Sequence, residues 1–140
     1  NPSGGRLNVL EFVTIATTGN SQDFGDLTTT RNGAGAFSNA TRGIWGGGNQ
    51  NPANTNVMDF VNFDTSGNAT DFGDLTAASS RIEGTSNNVS GFFVGGATPS
   101  LSNVIQKVTI ASAGDAADYG DLFSARSDAG VQSNGHGGLS

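Results

Sequence analysis

The sequence predicts an all-β repeat protein. Three observations predict it: motifs that return every 47 to 48 residues, alternation of apolar and polar residues inside them, and a shortage of helix formers. Gly (22), Asn (15), Ser (15) and Thr (14) supply 66 of 140 residues, types that favour turns, caps and strand surfaces over helix interiors. Nine Phe at regular positions argue for a packed core, because disordered chains are poor in aromatic and β-branched residues.

Each unit opens on a strand. Asn8-Val9-Leu10-Glu11-Phe12-Val13 returns as Asn56-Val57-Met58-Asp59-Phe60-Val61 and as Asn103-Val104-Ile105-Gln106-Lys107-Val108, at offsets of 48 and 47. Turn signals follow at Thr17-Thr18-Gly19-Asn20, Thr65-Ser66-Gly67-Asn68 and Ser112-Ala113-Gly114-Asp115, where Gly can take a positive φ. A second short strand is expected at Asp23-Phe24-Gly25-Asp26-Leu27, Asp71-Phe72-Gly73-Asp74-Leu75 and Asp118-Tyr119-Gly120-Asp121-Leu122. Ser38-Asn39, Ser86-Asn87 and Ser133-Asn134 mark a turn between two more strands. The later of these reads Gly43-Ile44-Trp45-Gly46 or Gly91-Phe92-Phe93-Val94-Gly95 and runs into glycines at 46–48, 95–96 and, early, 137–138. Four short strands in about 47 residues is the size of a propeller blade and leaves no room for a helix.

These residues resemble a kelch repeat: Arg31, then Ile44-Trp45-Gly46-Gly47, a variable loop, the strand from Asn56 to Asp64, Phe72 and Leu75. The wording of the units is more specifically similar to kelch-like repeats in fibre proteins of marine tailed phages, and the resemblance covers nearly the whole chain. It implies a kelch-like β-propeller with three four-stranded blades. The second unit departs from the pattern, with Ser79 in the place of Arg31 and Arg126 and with Arg81 displaced by two residues. The third loses the apolar strand before its glycines.

The expected organisation is one propeller segment over 1–140, with units of about 8–55, 56–102 and 103–140 plus 1–7. Three blades are too few to close a ring of four to eight, so a second chain or a longer parent chain has to complete it. Joining the end to the start leaves 15 residues from Ser133 to Asn8, against 18 from Ser38 to Asn56 and 17 from Ser86 to Asn103. The two ends therefore nearly complete a blade between them, and a homodimer of six blades is the favoured assembly. Asn1-Pro2-Ser3-Gly4-Gly5 has no signal-peptide features and reads as a processed, excised or incomplete beginning.

Composition narrows the function. With no Cys there is no disulfide framework, Cys-ligated zinc or cysteine nucleophile. Six basic residues, a net charge of -6 and a pI near 4.3 make nucleic acid a poor partner. No stretch approaches the roughly 20 apolar residues of a membrane helix. A copper-radical oxidase of the kelch type would need a cysteine cross-link, tyrosines and histidines that one Tyr and one His do not supply. His136, the single His, lies in a glycine-rich tail.

Two sets of residues are candidates for chemistry. The Asp pairs Asp23/Asp26, Asp71/Asp74 and Asp118/Asp121 could ligate calcium, which takes several oxygen ligands; equally, each Asp could cap a turn by accepting from nearby backbone N–H groups. Arg31, Arg42 and Arg126 could grip acidic sugars, and Trp45 could stack on a sugar ring; alternatively, the arginines pair with the repeated Asp residues between blades and the aromatics are core. The glycine clusters lack the Lys-Ser/Thr and helix of a phosphate loop. The expectation is a non-enzymatic recognition or adhesion module of an extracellular or virion fibre, binding glycans through propeller loops. The alternative is a purely structural, self-assembling scaffold with no ligand, and a polysaccharide-cleaving enzyme comes third.

Overall fold

A computed structural model describes residues 5–134. They form an all-β chain with no helix among the described residues. The strands are β1 (Leu7–Phe12), β2 (Gln22–Arg31), β3 (Gly35–Ser38), β4 (Arg42–Gly46), β5 (Val57–Asn62), β6 (Thr70–Asp74), β7 (Glu83–Ser86), β8 (Ser90–Val94), β9 (Ala97–Thr98), β10 (Ser100–Leu101), β11 (Val104–Thr109) and β12 (Ala117–Asp121). Two of the sheets are four-stranded antiparallel meanders, β3-β4-β5-β6 and β7-β8-β11-β12. A two-stranded sheet, β1-β2, precedes them, and a short β9-β10 ribbon interrupts the second meander.

Among the described residues the repeat yields two four-stranded sheets rather than three. Asn8–Val13 and Asp23–Leu27 build only the outer pair of the remaining unit, and β1 pairs with β2 alone where β5 and β11 each have a second partner. Residues 122–134 contain no strand. Within them the run Ser124-Ala125-Arg126-Ser127-Asp128-Ala129-Gly130 has no β-branched or aromatic side chain, and only Phe123 and Val131 flank it. The glycines at 137–138 and His136 lie outside the described residues. The β9-β10 ribbon was not anticipated; its counterpart between β4 and β5 is reduced to a single bridge, Asn49 to Asn54.

The Asp-Phe-Gly-Asp motif has a backbone explanation. In all three outer pairs the register slips at the same place: between Leu10 and Glu11, between Met58 and Asp59, and between Ile105 and Gln106. Opposite each slip an extra residue, Phe24, Phe72 or Tyr119, is bulged out of the ladder. The following Gly25, Gly73 and Gly120 sit at φ values of 147°, 139° and 153°, where a side chain would be strained. The bulge lets Phe72 turn into the core at 2% exposure, edge-on to Phe60 with ring centroids 5.8 Å apart.

The bulge also frees backbone groups to join neighbouring sheets. Phe24 O and Asp26 O accept from the N–H groups of Gly67 and Ala69 at 2.8 Å each, and Asp26 N–H donates to Asn68 Oδ1 at 3.0 Å. One unit on, Phe72 O and Asp74 O accept from Gly114 and Ala116 N–H at 2.6 and 2.8 Å, and Asp74 N–H donates to Asp115 Oδ1 at 3.0 Å. The approach is so close that a Cβ on Gly25 would overlap the Gly67 carbonyl, and one on Gly73 the Gly114 carbonyl. The sheets are therefore laid side by side through one seam, used twice.

Apolar residues fill the space between them. Phe37, Ile44, Met58, Phe72, Leu75, Ile82, Phe93, Val108 and Ile110 form the main cluster, with Phe37 and Phe93 rings 4.8 Å apart. Leu10, Leu27 and Val61 form a second cluster at the first seam, joined by Phe24, Trp45 and Ala69.

Candidate functional site

The best-determined polar site lies at the first seam, and sequence reasoning found only one of its members. Arg31 ends β2 and points into the protein, its side chain 1% exposed. One guanidinium nitrogen donates to the carbonyls of Gly47 and Val57, at 3.0 and 2.8 Å, and the other pairs with Asp59 on β5. Asp59 is fully buried and also accepts from Thr28 N–H (3.2 Å) and Thr28 Oγ1 (2.7 Å). Arg31 Nε is left without a partner. Burial lowers the Arg31 pKa from its ordinary value by penalising the cation, yet guanidinium stays charged at neutral pH.

The second seam repeats this arrangement without charge. Gln106 stands where Asp59 stood, 3% exposed, and its Oε1 accepts from Thr76 N–H at 2.7 Å and Thr76 Oγ1 at 2.9 Å. Ser79 replaces Arg31 and is also buried. Exchanging ion for amide together at both positions leaves no lone charge in the interior. A signal was present in the sequence: Glu11, Asp59 and Gln106 occupy one strand position that is polar in all three units. The position is buried where a neighbouring sheet covers it, at Asp59 and Gln106, and exposed at Glu11, although the register slips beside all three.

Trp45 lies mid-β4 and packs, partly buried, against the cluster of Leu10, Leu27 and Val61. Arg42, at the start of β4, donates from Nε to Asn62 Oδ1 and from Nη1 to Ile110 O, each at 3.0 Å, and lies 4.9 Å above the Phe60 ring. Arg126 is exposed and folds back on Ser124, while its main chain joins Ser102 and Gly96. The arginine–aspartate pair between sheets thus involves Asp59, outside the repeated Asp pairs. Arg31, Arg42, Arg126 and Trp45 are not gathered on one surface.

The repeated acids are distributed along strands β2, β6 and β12. Asp118 Oδ1 accepts from Gly120 N–H at 3.1 Å, a local turn bond, whereas Asp26 and Asp74 join the seams through their main chains. Among the described residues no three Asp, Glu or His side chains converge as a metal site would require. Two of the three expected Ser-Asn turns form, at Ser38-Asn39 and Ser86-Asn87. Asn39 Oδ1 accepts from Thr41 and Arg42 N–H at 2.9 Å each, and Asn87 Oδ1 from Val89 and Ser90 N–H at 2.8 and 2.7 Å.

Surface concavities lie instead at the turn after β5 and, smaller, at the equivalent turn after β1. A cleft of about 350 Å³ is lined by Ala40, Thr41, Asn62, Phe63 and Asp64, and a neighbouring one of about 240 Å³ shares Asn62 and Asp64 and adds Thr65, Asn68 and Thr70. Phe63 was placed by its sequence in the strand; β5 ends at Asn62, and the ring is 46% exposed. Its equivalents are Ile15 and Ile110, so this aromatic is particular to the middle unit. No protein-family model matches the chain, and a search of curated proteins finds no match.

Proposed function

We propose that this chain supplies blades to a kelch-like β-propeller that serves as a non-enzymatic recognition module of an extracellular or virion fibre, binding glycans at the clefts beside Phe63. The propeller part of the reading is supported by the seam that recurs at the repeat offset, as blades related by rotation about an axis require. The glycan part is carried by one observation: an exposed Phe63 ring set among Thr41, Asn62 and Asp64 in an open cleft. An apolar ring face with a few hydrogen-bonding groups around it suits the alternating C–H faces and hydroxyls of a sugar. Single sites of this kind are weak, and several in one assembly would add avidity. The reading needs no cofactor.

The test is an array of glycans, including bacterial surface polysaccharides, probed with the protein and with Phe63→Ala. Binding that disappears in the variant, with the β-sheet circular dichroism unchanged, supports the proposal. No binding across the array, or binding indifferent to Phe63, removes it. A second reading, a scaffold that only self-assembles, is favoured by the exposed apolar residues at the two ends of the sheet series, among them Val13 (57%) and Phe123 (106%).

A further inference from the structure

The seam that joins the sheets occurs twice inside the chain, and its two halves recur once more, separately, at the ends. Moving each seam residue by the repeat offset makes the match explicit. The acceptor edge Phe24–Asp26–Thr28 and its copy Phe72–Asp74–Thr76 recur as Tyr119–Asp121–Phe123. The donor loop Gly67-Asn68-Ala69 and its copy Gly114-Asp115-Ala116 recur, before the first of them, as Gly19-Asn20-Ser21. Asp59 and Gln106, the buried acceptors facing Thr28 and Thr76, have Glu11 as their counterpart.

At these ends, what the interior seams bury stands open. A Cβ on Gly25 or Gly73 would overlap a neighbouring carbonyl, whereas a Cβ on Gly120, at the same bulge and a similar φ, meets nothing within 4 Å. Phe72 is 2% exposed and its equivalent Tyr119 62%. Val61 and Val108 are 5% and 4% exposed, each clustered with the Leu of the preceding motif, Leu27 or Leu75, while their equivalent Val13 is 57% exposed. Glu11 and the loop 19–21 are exposed.

We propose that the Tyr119–Phe123 edge of one copy docks onto Glu11 and Gly19-Asn20-Ser21 of a second copy, repeating the internal seam head to tail. Tyr119 O and Asp121 O accept from the N–H groups of Gly19 and Ser21, Asp121 N–H donates to Asn20 Oδ1, and Phe123 N–H donates to Glu11. Val13 of the second copy covers Leu122. The occupant is a second copy because the edge carries the repeat's own donors and acceptors in the repeat's own order, continuing a seam the chain already makes. Two copies joined this way at both ends form a series of six units. This inference rests on the propeller-type stacking proposed above and is independent of glycan binding.

The chain has no Cys, so a Cys introduced at Glu11 or Phe123 is unique. Native mass and oxidative cross-linking of mixed Glu11→Cys and Phe123→Cys proteins test the seam. The expected results are a species of twice 14.1 kDa and an 11-to-123 cross-link formed only in the mixture. Phe123→Glu, which sets a carboxylate against Glu11 at a fully exposed site, is expected to return the mass to 14.1 kDa, and adding Glu11→Lys to restore the dimer. A monomer at every concentration, or a dimer cross-linked 123-to-123, or a dimer indifferent to Phe123→Glu overturns the proposal. An intramolecular cross-link in Thr76→Cys/Gln106→Cys reports the internal seam separately. If it forms while the 11-to-123 link does not, the stacking stands and the docking fails; if neither forms, the stacking reading fails as well.

Discussion

Replacing Asp59 by Gln leaves the Arg31 guanidinium buried at 1% side-chain exposure without a counter-charge. Gln can still accept from Thr28, as Gln106 does from Thr76 in the second seam. The loss is therefore mainly electrostatic, and breaking one side of a buried pair costs about 3–5 kcal/mol. Arg31→Met in turn strands the Asp59 carboxylate, fully buried with only its Thr28 bonds, and releases the carbonyls of Gly47 and Val57, at a cost of similar size. The double variant removes both charges, keeps most of the volume and also discards the unsatisfied Arg31 Nε. It is expected within about 2 kcal/mol of the parent, because a neutral, well-filled replacement of a buried pair is often harmless. The coupling between the two sites is then about 4 kcal/mol or more. Urea unfolding followed by Trp45 fluorescence reads it, since that ring packs at the seam in question. Additive losses, with coupling within about 0.5 kcal/mol, would show that the two charges do not depend on each other and that the seam is held by its apolar residues and main-chain bonds instead.

Other parts of the fold give simpler expectations. Gly73→Ala strains a positive φ and drives a methyl into the Gly114 carbonyl, so it should cost well over the roughly 1 kcal/mol that strain alone brings; Gly120→Ala, with open space beyond it, should cost only the strain, both measured by urea denaturation. Phe93→Ala, removing a fully buried ring beside Phe37, should lose about 3–5 kcal/mol in the same assay. Thr76→Val deletes the hydroxyl bond to Gln106 and should lose about 1 kcal/mol, less than any change that strands a charge at Asp59. Asn87→Ala removes two main-chain N–H partners in the β7–β8 turn and should lose about 1–2 kcal/mol, seen as a lower thermal midpoint.

How much of this was legible beforehand differs between elements. Three repeated anchors and alternating Val57–Asn62 announced strands, because period-two burial leaves a direct mark on residue type. The Ser-Asn turns were equally plain, since Asn39 and Asn87 act within three residues of themselves. Nothing in the sequence singled out Asp59 and Gln106 as buried partners. A polar residue in an alternating strand normally faces water, but here a neighbouring sheet covers that face and brings Thr28 to Asp59 and Thr76 to Gln106. Arg31 and Trp45 each allowed two readings, a ligand contact or a structural role, because residue type records chemistry, not depth. Phe63 looked like strand core because nothing local says that β5 stops at Asn62.

The sequence by itself determined that the chain is β throughout, where its turns fall, and that one pattern of main-chain and side-chain groups is made three times. Those properties are local: they follow from residue type, glycine φ and spacing along one strand or turn. Tertiary structure decided which of the three copies find a partner. Whether Asp59 is a buried ion partner, Gln106 a neutral one and Glu11 an exposed acid depends on whether a neighbouring sheet covers that position. The same holds for Gly73 against Gly114 and for Gly120 against open space. Burial is a property of the assembled surfaces, and identical motifs acquire different roles once one end of the series has a neighbour and the other does not.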